Sequence, residues 1–149
     1  MVKISASPGA TAHGGLRRFC FALDLKDDPA SIERYECWHR PGGPPEAVVR
    51  SLLAADIREL EIWRCGPRLF MMLEAGPGYD PAVKAARDAQ DPQILAWERL
   101  MWEFQKPLPW AAAGEKWVAA ERIYALSDQP SAHAASSTES DDEDEVPQR

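Results

Sequence analysis

Residues 17–25 read Arg17-Arg18-Phe19-Cys20-Phe21-Ala22-Leu23-Asp24-Leu25, with Phe19, Phe21, Leu23 and Leu25 alternating against Arg18, Cys20, Ala22 and Asp24. Side chains of a strand point to opposite faces in turn, so this period of two predicts a β-strand with one thoroughly apolar face. An apolar face needs a second layer to cover it. Asp28-Pro29 starts one: aspartate is a good N-cap, and proline at the first helical position lacks only an N–H that would be orphaned anyway. The helix is expected to run to about Trp38 or His39 and to stop before Pro41-Gly42-Gly43-Pro44-Pro45. A second helix over about 45–55 carries Val48, Val49, Leu52 and Leu53 on one side.

Two further strands are expected at 57–65 and 68–75, turned on Gly66-Pro67 as a hairpin. Asp80-Pro81 and Asp91-Pro92 repeat the cap-plus-proline start. The second of these opens a strongly apolar helix over about 92–105, containing Ile94, Leu95, Trp97, Leu100, Met101, Trp102 and Phe104. A proline-rich stretch at 106–109 ends it, and residues 116–126 read as a last strand. The order strand, helices, strand, strand, helices, strand is the βαββαβ arrangement of a ferredoxin-like α+β sandwich. Helices then cover one face of the sheet and leave the other bare, with Asp24, Glu61, Trp63, Arg122 and Tyr124 expected on the bare side. A homodimer packing two such sheets together would make that side the wall of a shared cavity.

Composition sets the limits of this domain. Residues 128–149 carry seven acids and one base, so the other 127 residues hold 17 acids and 16 bases. The acidity of the chain belongs almost wholly to its tail. A near-neutral body argues against nucleic acid as the main partner, because phosphate neutralisation needs a basic excess. All six Trp, three Tyr and four Phe lie before residue 127. The expectation is a domain at 16–127 flanked by disordered segments at 1–15 and 128–149, which bury too little to offset their ordering entropy. The first fifteen residues lack the apolar run of a signal peptide. No stretch approaches the roughly 18 consecutive apolar residues of a membrane span. With Cys20, Cys37 and Cys65 odd in number, reduced thiols in the cytoplasm are expected rather than a disulfide framework.

His39 is the only histidine of the predicted domain, and it follows Tyr35 by four residues, so both project from one side of the helix. Imidazole is the natural two-way proton carrier near neutral pH. The alternative is a structural histidine near a helix C-terminus. Trp63, Trp97 and Trp102 lie on elements expected to face inward, where an indole either fills core volume or offers a flat apolar platform for a sugar ring. No Gly-rich phosphate loop, nucleophile elbow, Cys-x-x-Cys or His-Glu-x-x-His motif occurs, so neither a cofactor nor a metal site is expected.

At this point the segment Tyr35-Glu36-Cys37-Trp38-His39 followed by Pro41 and Pro45-Glu46 resembles the corresponding region of the L-rhamnose mutarotase family. The paired strands from Glu61-Ile62-Trp63 to Leu69 through Glu74, and Trp97-Glu98-Arg99-Leu100-Met101, are similar to that family's hairpin and tryptophan-bearing helix. The resemblance covers roughly 17–127. It implies a dimeric α/β barrel of ferredoxin-like subunits that needs no cofactor or metal and interconverts the α and β anomers of a 6-deoxy-L-hexose. His39 matches the family's general acid/base, and Tyr35 and Trp97 match substrate-contacting positions. Glu61, Trp63 and Glu98 join them as expected substrate-binding residues, with Tyr35, Glu61, Asp24 and Glu98 open as the second proton carrier.

Pro107-Leu108-Pro109 and Gly114 through Val118 look more like an L-fucose-associated branch. Two departures from the resemblance weaken an assignment to rhamnose: Glu98, a polar residue that changes which sugar hydroxyl is read, stands where a second tryptophan is frequent, and Leu60 stands at a tyrosine position of the rhamnose enzymes. The competing readings are a non-catalytic barrel that binds a small ligand, with His39 structural, and a cofactor-free monooxygenase on the same fold. Fold alone does not choose among them.

Overall fold

A computed structural model describes residues 15–130, so the expected disorder of the two ends falls largely outside the described residues. The element order is β1 (Arg17–Leu25), α1 (Pro29–Trp38), α2 (Glu46–Ala54), β2 (Ile57–Cys65), β3 (Arg68–Ala75), α3 (Pro81–Asp88), α4 (Pro92–Phe104), β4 (Gln105–Lys106) and β5 (Val118–Ala119). All three Asp-Pro pairs start helices as expected. Asp28 accepts from the Ser31 amide at 3.0 Å, Asp80 from Ala82 at 2.9 Å and Asp91 from Gln93 at 2.9 Å. Each carboxylate satisfies an amide that the first turn would otherwise leave unpaired.

The strands run in the order β2-β3-β1-β4, with β5 also on β1, and every pairing is antiparallel. This is the ferredoxin-like order expected from the βαββαβ reading. Register fixes which residues share a face. Phe21 opposes Met71 and Leu23 opposes Leu69, while Ala22 opposes Phe70 and Asp24 opposes Arg68. On the other side of β3, Ile62 opposes Met71 and Trp63 opposes Phe70. The apolar alternation of β1 therefore continues across the sheet, and Leu23, at 0% exposure, lies at the centre of the covered face.

Two buried clusters fill the space between sheet and helices. One gathers Phe21, Ile57, Leu73, Ala75 and Tyr79. The other gathers Leu25, Tyr35, Leu69, Met101 and Phe104, and Trp117 packs against both.

The last strand departs from expectation. Instead of one strand over 116–126, the edge beside β1 is filled by two short pieces, β4 opposite Asp24 and Leu25 and β5 opposite Phe21 and Ala22. Between them residues 107–117 leave the ladder, where Pro107 and Pro109 have no N–H to give to it, and Leu108 is buried. Beyond β5 the Ala120 amide makes one more bond, to the Cys20 carbonyl at 2.8 Å, and regular pairing ends. Glu121 lies on one alternate set of 116–126 and Arg122 on the other, so neither is continuously apolar and burial does not enforce pairing. Ile123 is 93% exposed, and Arg122 and Tyr124, expected on the bare sheet face, lie in this irregular segment.

Candidate active site

The chain reverses sharply after α1, and that reversal builds the site. His39 is the residue at which the helix stops, with φ −98° and ψ 2°. Gly42 turns back through φ 81°, and a Cβ on Gly43 would collide with the Trp38 carbonyl. The His39 amide bonds the Glu36 carbonyl at 3.0 Å in a tightened last turn, which leaves the Tyr35 carbonyl to another donor. That donor is the side chain of His39, whose Nδ1–H reaches the Tyr35 carbonyl at 2.7 Å. A carbonyl oxygen only accepts, so this bond holds the proton on Nδ1 and leaves the Nε2 lone pair for chemistry.

Aromatic rings flank the imidazole. Its centroid is 4.3 Å from the Tyr35 ring and 5.6 Å from Trp97, and Trp38 meets Trp97 edge-on at 6.1 Å. Burial among these groups pushes the His39 pKa below its ordinary 6.5, while the bond to Tyr35 works in the opposite direction. The ring is therefore predominantly neutral at pH 7. Tyr35 is 3% exposed. Burial pushes its phenol up to about 12, partly offset by a hydrogen bond with the side chain of Gln105. This phenol holds its proton throughout the physiological range.

Trp97 reaches His39 because α4 presents Ile94, Trp97, Met101 and Phe104 along the side facing the sheet. Glu98, one residue on, is half-buried, and its carbonyl accepts from Lys116 Nζ at 3.4 Å. Lys116 lies over the Trp102 ring at 4.7 Å, and burial lowers its pKa.

The structure thus brings together Tyr35, His39 and Trp97, with Glu98 on the same helix layer. It does not bring Glu61 or Trp63 to them. Both alternate with Leu60 and Ile62, which pack into the clusters, so they stand on the uncovered side of the sheet. Trp63 is 61% exposed and donates its Nε1–H to Glu61 at 3.0 Å. Trp102, expected to face inward, is exposed as well, because five residues after Trp97 it has rotated off the inner stripe. Asp24 also lies on the uncovered side, paired through both oxygens with Arg68 at 2.8 and 3.2 Å, and Trp110 stacks on that guanidinium at 5.1 Å.

Sequence reasoning missed three contributors. Trp38 showed no inward periodicity, and Gln105 was an unremarked polar residue at a helix end. Trp117 lies in a segment read as strand. Among the described residues no group of three or more His, Cys, Asp or Glu is arranged to hold a metal ion. No helix there is long and apolar enough to cross a membrane.

The family model of L-rhamnose mutarotase matches residues 18–126. The chain belongs to the L-rhamnose mutarotase family. Membership makes it a carbohydrate isomerase, as the resemblance of its helix-end motif implied. An L-fucose mutarotase of Xanthomonas campestris pv. campestris is 56% identical over 121 residues, covering 81% of this chain and 97% of that protein. A UPF0734 protein of Dictyostelium discoideum is 29% identical over 114 residues, covering 74% and 90% respectively. The crystal structure of an L-rhamnose mutarotase from Formosa agariphila superposes with a TM-score of 0.53 at 14% identity. It covers 74% of this chain and 98% of that one, so the two share a fold.

Proposed function

We propose that the chain interconverts the α and β anomers of L-fucose, with His39 as the group that moves the proton at the anomeric centre. The observation that carries this reading is the imidazole itself. It is held by Tyr35 through Nδ1, neutral by burial, and flanked by Trp97 with Nε2 free. The 56% identical L-fucose mutarotase supports fucose over rhamnose, as do Leu60 and Glu98 at the two departing positions.

The reaction is proton traffic. The anomeric O1–H gives its proton to a base while the C1–O5 bond breaks, C1=O forms and the ring oxygen takes a proton. Rotation about C1–C2 and closure on the other face of the carbonyl then return both protons. Because the reaction proceeds unaided in water, one positioned acid/base group contributing about 10²–10⁴-fold is enough to matter. His39 Nε2 serves as one carrier. Asp24 and Glu61 stand across the sheet from it, which leaves Tyr35 and Glu98 for the second role. Tyr35, with its phenol held protonated, is suited to donate rather than to accept. Trp97 lies against the apolar face of the sugar.

The enzyme works as a homodimer joined through the uncovered sheet face, where Trp63, Phe70 and Met72 are exposed together. Light scattering on the full chain checks this, and a monomer at micromolar concentration contradicts it. The free thiols of Cys20, Cys37 and Cys65 fit a reducing compartment, and fractionation of the source cells tests a cytoplasmic location.

Saturation-transfer NMR on the anomeric protons of L-fucose and L-rhamnose tests the activity. Protein-dependent exchange, greater for L-fucose and lost in His39→Asn, is expected. Exchange that survives in a folded His39→Asn protein overturns the role of His39, and no exchange with either sugar overturns the substrate reading.

A further inference from the structure

Trp97, whose ring lies 5.6 Å from that of His39, also lines a groove of 490 Å³ between the end of α1, the start of α2 and α4. The groove exists because α4 carries two adjacent stripes. Ile94, Met101 and Phe104 point to the core, while Gln93, Ala96 and Leu100 point to the groove, and Trp97 lies where the stripes meet. Ala96 is small enough to leave the space open. Trp38 stands edge-on to Trp97 on the far wall, and Glu46 and Arg50 of α2 form the polar rim.

We propose that this groove is the outer part of the sugar site, in which a pyranose stacks on Trp38 and Trp97 while Arg50, Glu46 and Gln93 hold its hydroxyls. The proposal rests on the mutarotase reading and extends it to residues not included among the expected site positions. Four observations converge. The volume lies within the range of about 300–1,000 Å³ typical of small-molecule sites. The lining combines aromatic faces with a few convergent polar groups, which suits an amphipathic ring with C–H faces and hydroxyl edges. The ion pair between Arg50 and Glu46, at 3.4 Å, is mostly exposed on both sides and therefore weak, so both charges are available to a hydroxyl. Trp97 is also common to the groove and to the surroundings of His39, so a sugar held at the groove's rim has the imidazole beside the same indole.

The geometry predicts a division of labour. His39 determines the rate of the chemical step, whereas Arg50 and Gln93 determine affinity and the choice between sugars that differ in hydroxyl configuration. Removing a charged hydrogen-bond donor weakens binding by about tenfold or more.

The test uses the full chain, 15N-labelled, with tryptophan side-chain N–H signals assigned by single Trp→Phe substitutions and titrated with L-fucose. Signals of both Trp38 and Trp97 should shift with one dissociation constant while those of Trp63 and Trp110 stay in place. Arg50→Ala and Gln93→Ala should each raise that constant about five- to twentyfold without altering spectral dispersion. Anomer exchange in these variants should show a raised KM with kcat near wild type. A silent Trp38, or unchanged constants in both variants, overturns the groove while leaving the mutarotase reading standing if exchange persists. Sugar-dependent shifts of Trp38 and Trp97 without any anomer exchange sustain the groove and overturn the mutarotase reading.

Discussion

The two faces of the sheet hold similar side chains and have opposite fates. On the covered face Tyr35, His39 and Trp97 meet across α1 and α4, and burial perturbs the histidine and the tyrosine. On the uncovered face Trp63, Glu61, Asp24, Arg68 and Trp110 form a comparable set of aromatics and charges, already paired with one another at the surface. The difference is a parity of one residue along a strand. Trp63 is next to Ile62, which packs in the second cluster, yet its side chain leaves in the opposite direction. Burial on the covered face lowers the pKa of the imidazole and raises that of the phenol, the kind of perturbation that marks that face as the candidate for acid–base chemistry.

The largest effect should come from removing the titrating nitrogen. Asparagine at position 39 can still offer an amide N–H to the Tyr35 carbonyl, so His39→Asn keeps the helix end and loses the proton carrier. The expected fall in kcat is about 10²–10⁴-fold, with an unchanged circular dichroism spectrum. A fall of less than threefold would reduce His39 to a structural cap and erase the functional distinction between the faces.

Next in size is the energetic contrast between the faces. Leu23 is fully buried under the helices, and Leu23→Ala should cost about 2–5 kcal/mol in urea unfolding at constant chain concentration. On the other face of β3, Phe70 is partly exposed within one subunit, so Phe70→Ala should cost less than Leu23→Ala in the dissociated chain, and the loss should grow with protein concentration as the second copy covers that face. A loss at Phe70 that stays small at every protein concentration contradicts a homodimer joined there.

Much of this contrast was legible in the sequence, for stated reasons. The alternation of β1 and the three Asp-Pro starts depend on local chemistry, and the structure reproduces them. The pairing of Tyr35 with His39 followed from helical spacing. The edge beside β1 was not legible in the same way, because β4 is set by where Pro107 interrupts the ladder rather than by any periodic pattern. Trp63 was expected on the bare face, and its alternation with Leu60 and Ile62 places it there. Gln105 could not be recognised as the partner of the Tyr35 phenol, since only tertiary packing brings them together.

A moderate effect should appear with pH. The His39 pKa is depressed in the fold, so below about 6.5 the unfolded chain takes up a proton that the folded chain refuses. The unfolded state then binds more protons, which makes this contribution to stability rise with pH. The stability is fully present above 6.5 and is lost as pH falls toward the folded pKa. Activity should follow the same group: kcat/KM holds through neutrality and declines on the acid side with an apparent pKa below 6.5, as Nε2 becomes protonated. His39→Asn should remove both the acid limb and this share of the stability slope. An apparent pKa above 6.5 would mean that the imidazole is stabilised as a cation, contrary to its burial between Tyr35 and Trp97.

The smallest effect is the most discriminating. Glu61 is a carboxylate on the strand that contributes Ile62 to the second cluster, and by residue type alone it is a reasonable second proton carrier. Its side chain instead accepts from Trp63 on the uncovered face, with the sheet between it and His39. Glu61→Gln keeps the size and the acceptor for the indole N–H, so anomer exchange should stay within about twofold of wild type. Glu98→Gln, on the helix layer beside Trp97, should instead lower kcat if Glu98 carries the second proton. Should Glu61→Gln lose activity as His39→Asn does, the uncovered face takes part in catalysis. The two faces would then have to be read as walls of one chamber rather than as a site and a surface.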